Sequence, residues 1–373
     1  MPISMPAAAK MTSNEDQTTE RSNTMQRLSL LTGDNASVQV SSGAQVVTAI
    51  LLAGVLIALP WLGLGYRFLS IAITTLYTAI GLYGLGLQFG QAGIMSVGHA
   101  ALMGVGAYTS AILSVQLGWG FWTSLPFAMI LAAIVGGIIG LPTLRVGGQH
   151  YIIITFCFCA LFVIVLTNGG TLTGSATGLD VGSVTPLLGI NFDKLSNNYY
   201  LVLAALFLAL AAVHVIGVSR YGRTLRAIRE NEQLARSVGI NVDLHKLGVL
   251  MVSGLFAGLA GVLQLYYLRH ISPTLFGAFP SLYLALMVML GGARFLYGPL
   301  LGAVIVNFLP ETLSLDPVDS RIAYGVCLLL VILLLPGGVS AGLRNIYCAV
   351  VAPRAGGSET RRAAGSGGRH GRA

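Results

Sequence analysis

The sequence predicts an all-α, polytopic membrane protein with about ten transmembrane segments, some of them short, broken or re-entrant. Two observations carry this. Of 373 residues, 55% are hydrophobic and 9% charged, where a water-soluble domain carries about a quarter charged residues. The mean hydropathy is +0.79, and the apolar residues fall into runs close to the ~20 residues a helix needs to cross hydrocarbon. Most of the surface must therefore face lipid. The net charge of +8 is concentrated in a few stretches, which points to membrane orientation before nucleic acid, and no nucleic-acid partner is expected.

Residues 1–45 are polar, mixed in charge and rich in Ser, Thr, Asn and Gln. They lack the basic start, apolar core and cleavage site of a secretory signal and read as a disordered cytoplasmic arm. Candidate spans follow at Val46–Leu64, Phe68–Leu87, Ala100–Leu117, Trp122–Leu141, Tyr151–Thr167, Tyr199–Val218 and Leu247–Tyr267. The stretch "SLYLALMVMLGGARFLYGPLLGAVIVNFLP" is too long for one crossing. Gly291, Gly292, Gly298 and Pro299 interrupt it, which predicts two short helices meeting near the cytoplasmic side. A last span, Ile322–Leu335, stops at Pro336-Gly337-Gly338. Residues 46–343 thus form the transmembrane body, with a charged loop at 219–246. Residues 344–373, rich in Gly, Arg and Ala, read as a disordered cytoplasmic tail whose arginines can meet anionic membrane lipid.

Charge sets the orientation. With both termini cytoplasmic, the inner side receives Lys10, Arg21, Arg27, Arg145, Arg220, the basic residues of the 222–247 stretch, Arg294, Arg344 and the tail arginines. The outer side receives Arg67, Lys194, Arg269 and Arg321. This satisfies the positive-inside rule. The polar loop Asn168–Asn198 is then expected outside.

Several chemistries are excluded. A Walker A loop needs Gly-Lys followed by Ser or Thr, and none of Lys10, Lys194 and Lys246 follows a glycine. No His-Glu pair exists for an H-E-x-x-H zinc site, and no metal site is expected. The four cysteines, Cys157, Cys159, Cys327 and Cys348, lie in or beside apolar runs and read as reduced packing residues. Acidic residues are nearly confined to the arm and loops, so the paired intramembrane carboxylates of many proton-coupled carriers are missing. Nothing here predicts an enzyme or a cofactor bound by this chain.

The charge instead gathers in "GRTLRAIRENEQLARSVGINVDLHKL", Gly222–Leu247. From Arg220 to about Val238 the spacing predicts a helix, with Leu225, Ile228 and Ala235 on one face. Arg226–Glu230 and Glu232–Arg236 are opposite charges four apart. Gly239 suits a C-terminal cap, and Asn241 or Asp243 an N-cap for the next helix. The expected product is a short amphipathic helix-turn-helix projecting from the membrane. It reads as a docking surface, with a solvated loop or an interfacial lipid-lying helix as the alternatives.

This stretch, continuing through "GVLMVSGLFAGLAGVLQLYYLRHISPTLF", resembles the membrane subunit of branched-chain amino-acid ABC importers. So do "GLQFGQAGIMSVGHAALMGVGAYTSAIL" (Gly86–Leu113) and "MVMLGGARFLYGPLLGAVIV" (Met287–Val306). The resemblance covers roughly Val46 to Leu343. It implies a permease subunit of the bacterial inner membrane, with no enzyme activity of its own, coupled through helix 222–239 to a separate ATP-binding cassette subunit that holds the ATP and Mg. It also implies a second homologous permease subunit and a periplasmic or lipid-anchored substrate-binding protein. The coupling residues it implies are Gly222, Arg223, Arg226, Ala227, Arg229, Glu230, Asn231 and Gly239. The sequence departs from the family's common Gly-Gly-x-Gly at Gly291-Gly292-Ala293-Arg294, and from an Asp/Tyr-type pair at His150-Tyr151. Sister subunits serve urea, short-chain amides and other amino acids.

For the substrate path the candidates are Gln91, Ser96 and His99, set among glycines that permit a broken helix with free backbone groups, together with Gly291 and Gly292. Each has a structural alternative: Gln91 and Ser96 satisfying backbone groups, His99 as a packing histidine, and the glycines as close helix contacts. A secondary carrier or channel for a small polar solute, and a polytopic membrane enzyme, are the competing functional classes.

Overall fold

The computed structural model describes residues 54, 56–62, 65–144, 148–186, 192–312, 325–326 and 339–340. The chain divides into one unit over Met1–Leu59 and another over Pro60–Ala373; every element below belongs to the second. The expected spans Val46–Leu64 and Ile322–Leu335 lie largely outside the described residues, as do the arm, the tail, Cys327 and Cys348.

The described bundle is built from α1 (Tyr66–Gly86), α2 (His99–Leu117), α3 (Phe121–Gly140), α4 (Gly148–Thr167), α5 (Leu195–Val218), α8 (Val242–Leu268), α9 (Ala278–Gly291) and α10 (Gly298–Thr312). Two short helices, α6 (Arg220–Glu230) and α7 (Glu232–Ser237), lie between α5 and α8. Seven helical stretches are long and apolar enough to cross a membrane, and Gly298–Phe308 is a shorter apolar helix. The expected pair around Gly291-Gly292 is thus α9 and α10.

Helix α8 is the centre, packed against α1, α2 and α3. The reason lies in small residues. A Cβ built on Gly106 would sit 2.5 Å from Gly258 Cα, and one on Gly261 would sit 1.9 Å from the Met103 carbonyl oxygen. Backbones meet directly there, and dispersion between close surfaces replaces the hydrophobic drive that lipid does not supply. Helices α4 and α5 are apolar all round and present Ile153, Leu161, Ile164, Leu208 and Val215 outward, as helices surrounded by lipid or by another membrane subunit do. Cys157 is exposed and Cys159 buried, on different sides of α4.

At the bundle end opposite α6 and α7, the chain makes a contact that the spacing did not reveal. Leu179–Asp180 (β1) pairs antiparallel with His270–Ile271 (β2). Arg269 reaches Asp193 at 2.6 Å, and His270 reaches Asp180 at 2.8 Å. The loop after α4 is tied in this way to the end of α8.

Candidate functional site

The first described span does not end cleanly. After Gly86 it continues as a wide turn over Leu87–Gln91, with five-residue rather than four-residue closure, a device frequent at functional positions. Gly93, at φ +73°, then reverses the chain. Residues 92–98 climb back among the helices, and α2 starts at His99, beside Gly84. Gly84 lies seven residues above Gln91, so α2 begins ~10 Å inside the bundle at 1.5 Å per residue. Non-helical backbone at that depth survives only where protein satisfies it. Here Val97 N–H donates to Thr155 Oγ1 (3.1 Å), Gly98 N–H to Ser96 Oγ (3.2 Å) and Ala100 N–H to Ser281 Oγ (3.0 Å). Cys159 Sγ lies 3.1 Å from Ser281 Oγ.

A buried polar chain seals the same region. Ser253 Oγ–H donates to Gln88 Oε1 (3.1 Å), and Gln88 Nε2–H donates to the Tyr151 hydroxyl (2.9 Å). Ser96, buried, accepts from the Gly98 N–H at the break. His99 is buried, with Nε2 at 2.8 Å from the Gly81 carbonyl oxygen. Gln88, Thr155, Ser253 and Ser281 carry no sequence signature, and Tyr151 stands out only as half of the His150-Tyr151 departure. They lie scattered on apolar helices, and only the fold makes them converge.

Gln91 sits elsewhere, at the charged end of α1. The α6 helix begins there with Ser219 as N-cap, its Oγ accepting from Gly222 N–H. Gly222 is buried against the end of α5, where a Cβ would lie 2.3 Å from the Ile216 carbonyl oxygen. Leu225 and Ile228 are buried, while Arg223, Arg226, Ala227 and Glu230 are exposed. Tyr221 fixes the helix to the base of α8: its hydroxyl donates to the His245 carbonyl (2.9 Å) and its ring stacks on the imidazole. Burial pushes the Tyr221 phenol up to about 12.

Two arginines join α6 to the broken span. Arg226 Nη1 donates to Gln91 Oε1 and to the Gly217 carbonyl, both at 2.9 Å. Arg229 Nη1 donates to the Gly90 carbonyl. The Arg229 stem lies against Gly93, where a Cβ would stand 2.9 Å from Arg229 Cγ. Burial holds the Arg229 guanidinium below its ordinary pKa, and neighbouring Arg294 adds to this against the opposing pull of Glu230. The expected Arg226–Glu230 pair does not form, because Arg226 turns inward to two fixed oxygens.

The expected continuous helix over 220–238 is also interrupted. Asn231 adopts extended backbone (φ −154°, ψ 103°), and its side chain accepts from Leu234 N–H to cap α7. Gly239, at φ +84°, makes the next turn, and Asn241 accepts from Leu244 N–H to cap α8. Between these turns, Ile228, Ala235 and Val242 form a small apolar cluster with Ile240. Glu232 bridges Lys246 (2.6 Å) and Arg236 (3.2 Å), and Arg236 bridges Asp243 (2.6 Å). Burial alone would raise the Glu232 carboxyl, but the Lys246 and Arg236 bonds and charges hold it below the ordinary range. Leu234 and Val238 stay exposed at the tip.

Gly291 lies in the α9–α10 contact, where a Cβ would meet the Gly298 carbonyl oxygen at 1.9 Å. Gly292, at φ +93°, ends α9. The structure thus brings Gln91 to Arg226 of α6 and leaves Ser96, His99, Gly291 and Gly292 in packed surroundings. Among the described residues no cluster of His, Cys, Asp and Glu could hold a metal.

The family model described as branched-chain amino acid transport system / permease component matches residues 67–335. The high-affinity branched-chain amino acid transport system permease protein LivM of Escherichia coli is 32% identical over 257 residues, covering 63% of this chain and 60% of that protein. The ribose import permease protein RbsC of Escherichia coli is 28% identical over 283 residues, covering 69% of this chain and 82% of the relative. A nucleoside ABC transporter permease protein, NupC of Lactococcus lactis, is 26% identical over 204 residues, covering 50% of this chain and 62% of the relative. The chain thus spans about 60% of the length of LivM. No solved structure matches. With the bundle, the broken first described span and the charged helical protrusion in place, the chain belongs to the branched-chain amino acid transport system permease family, a multi-pass membrane permease of the ABC transporter class.

Proposed function

We propose that this chain is the permease subunit of an ATP-driven importer for branched-chain or related amino acids in the bacterial inner membrane. In this reading residues 46–343 form the transport domain, both termini and α6–α7 face the cytoplasm, and residues 1–45 and 344–373 are cytoplasmic extensions. A separate ATP-binding cassette subunit, holding ATP and Mg, grips the exposed face of α6 and α7: Arg223, Ala227, Glu230 and Asn231, with Leu234 beyond them. A second homologous permease packs beside the chain, and a substrate-binding protein docks on the opposite end.

One observation supports the coupling role above the rest. Arg226 and Arg229 bind Gln91 and Gly90, so a displacement of α6 is delivered to the break in the first described span. Gly222 and Gly239 set how α6 and α7 leave the bundle. The substrate is inferred from LivM. Ribose and nucleoside permeases also match, so the binding protein's ligand preference decides among them, and isothermal titration with leucine, ribose and a nucleoside reads it directly.

The coupling role is tested by reversing two charges together, Arg226→Glu and Glu230→Arg, in the complete transporter in vesicles. Substrate-stimulated ATP hydrolysis should be abolished while the variant still inserts and elutes as a folded complex. Unchanged stimulation would refute the coupling role. Uptake by this chain alone under an ion gradient would favour a secondary carrier.

A further inference from the structure

At the charged end lies a cavity of about 420 Å³ between the last turns of α1 and α5, the α6 helix and the segment joining α9 to α10. Among the described residues its polar lining is Tyr83, Gln91, His214, Arg223, Arg226 and Arg294, with no Asp or Glu. Three guanidinium groups thus face one space, and no described residue of its wall is an acid. Arg223 and Arg226 spend donors on the backbone carbonyls of Val218 and Gly217, which leaves their positive charge uncompensated. Tyr83 is 1% exposed, and its hydroxyl has no hydrogen-bond partner among the described residues. An unmet buried hydroxyl at the wall of a cationic cavity calls for a polar ligand. The rest of the lining is apolar, including Val213, Val218 and Pro299. Val218 and neighbouring Val215 are exposed on the outward side of α5.

We propose that this cavity binds the phosphate of an anionic phospholipid headgroup from the adjacent leaflet. Arg226 and Arg294 contact the phosphate oxygens, Arg223 adds its charge from the rim, the Tyr83 hydroxyl donates to one of the oxygens, and the acyl chains leave along α5. Guanidinium matches phosphate geometry with paired donors, and basic pockets between membrane helices at this depth suit acidic headgroups. Because Arg226 also holds Gln91, bound lipid would bias the connection between α6 and the broken span.

The test uses the full-length chain, purified and delipidated, with three probes: short-chain phosphatidylglycerol, short-chain phosphatidylcholine and inorganic phosphate. Saturable phosphatidylglycerol binding, much tighter than phosphatidylcholine, is expected. Arg294→Gln should weaken it about fivefold, roughly the worth of one basic residue at an anionic membrane surface. Tyr83→Phe should weaken it by a smaller factor, and Lys194→Gln at the opposite end should leave it unchanged. Folding of each variant is checked by its thermal midpoint without lipid. Equal binding of the two lipids, or phosphatidylglycerol binding indifferent to Arg294→Gln in a folded variant, would overturn the proposal. Inorganic phosphate binding as tightly as phosphatidylglycerol would assign the cavity to free phosphate and overturn its lipid identity.

Discussion

Replacing Arg229 with Met would cut one of the two ties between the protrusion and the broken span while keeping most of the stem that covers Gly93. The lost interaction is a charge-assisted hydrogen bond to the carbonyl of buried Gly90. Such bonds contribute about 1.5–3 kcal/mol. Arg229 is only partly buried, so the low end applies, about 1.5 kcal/mol, or roughly tenfold in a local equilibrium. The affected backbone is the reversal itself, where Gly93 N–H donates to the Phe89 carbonyl and Ile94 N–H to the Gln88 carbonyl, both at 3.1 Å. Native-state hydrogen exchange followed by mass spectrometry should show segment 90–98 opening about tenfold more often, with the middle of α8 unchanged. Arg229→Lys, which keeps the charge without the fork, should fall between. Unaltered exchange at 90–98, or acceleration spread evenly over all spans, would refute the idea that Arg229 holds the break.

Two further outcomes follow from the packing and the charges. Gly261→Ala places a Cβ 1.9 Å from the Met103 carbonyl oxygen, and overpacking of this kind costs about 1–3 kcal/mol or more, so the detergent-solubilised variant should lose its thermal midpoint and fold yield together. Glu232 contributes through a carboxyl held below its unfolded pKa. That contribution is complete above the ordinary carboxylate range and is lost as pH falls through the lower folded value. Exchange protection of residues 232–243 should therefore be flat at neutral pH and drop in acid, and Glu232→Gln should remove the dependence.

The spans were legible because lipid as solvent leaves a coarse signal, runs of apolar residues of fixed length, and α1–α5 and α8 begin and end close to where those runs do. The caps at Gly239 and Asn241 were legible because they depend on local backbone chemistry. Asn231 was not, because its effect competes with a helical pattern that continues on both sides of it. Glu232–Arg236 formed as spaced, but Arg226 found Gln91, 135 positions away, and no periodicity reports such a partner. The chain Ser253–Gln88–Tyr151 leaves no sequence signature for the same reason. The strands at Leu179 and His270 are two residues each, too short to leave an alternating pattern.

The paired strands carry a consequence for how the two faces communicate. Helix α8 has 27 residues, ~40 Å at 1.5 Å per residue. Its far end is stitched to the 168–198 loop by β1 and β2, and its near end is gripped by the Tyr221 ring. Pressure on that loop is therefore not absorbed locally. It meets a single rod hemmed in by close glycine contacts, and the foot of that rod is the point where Tyr221 holds α6.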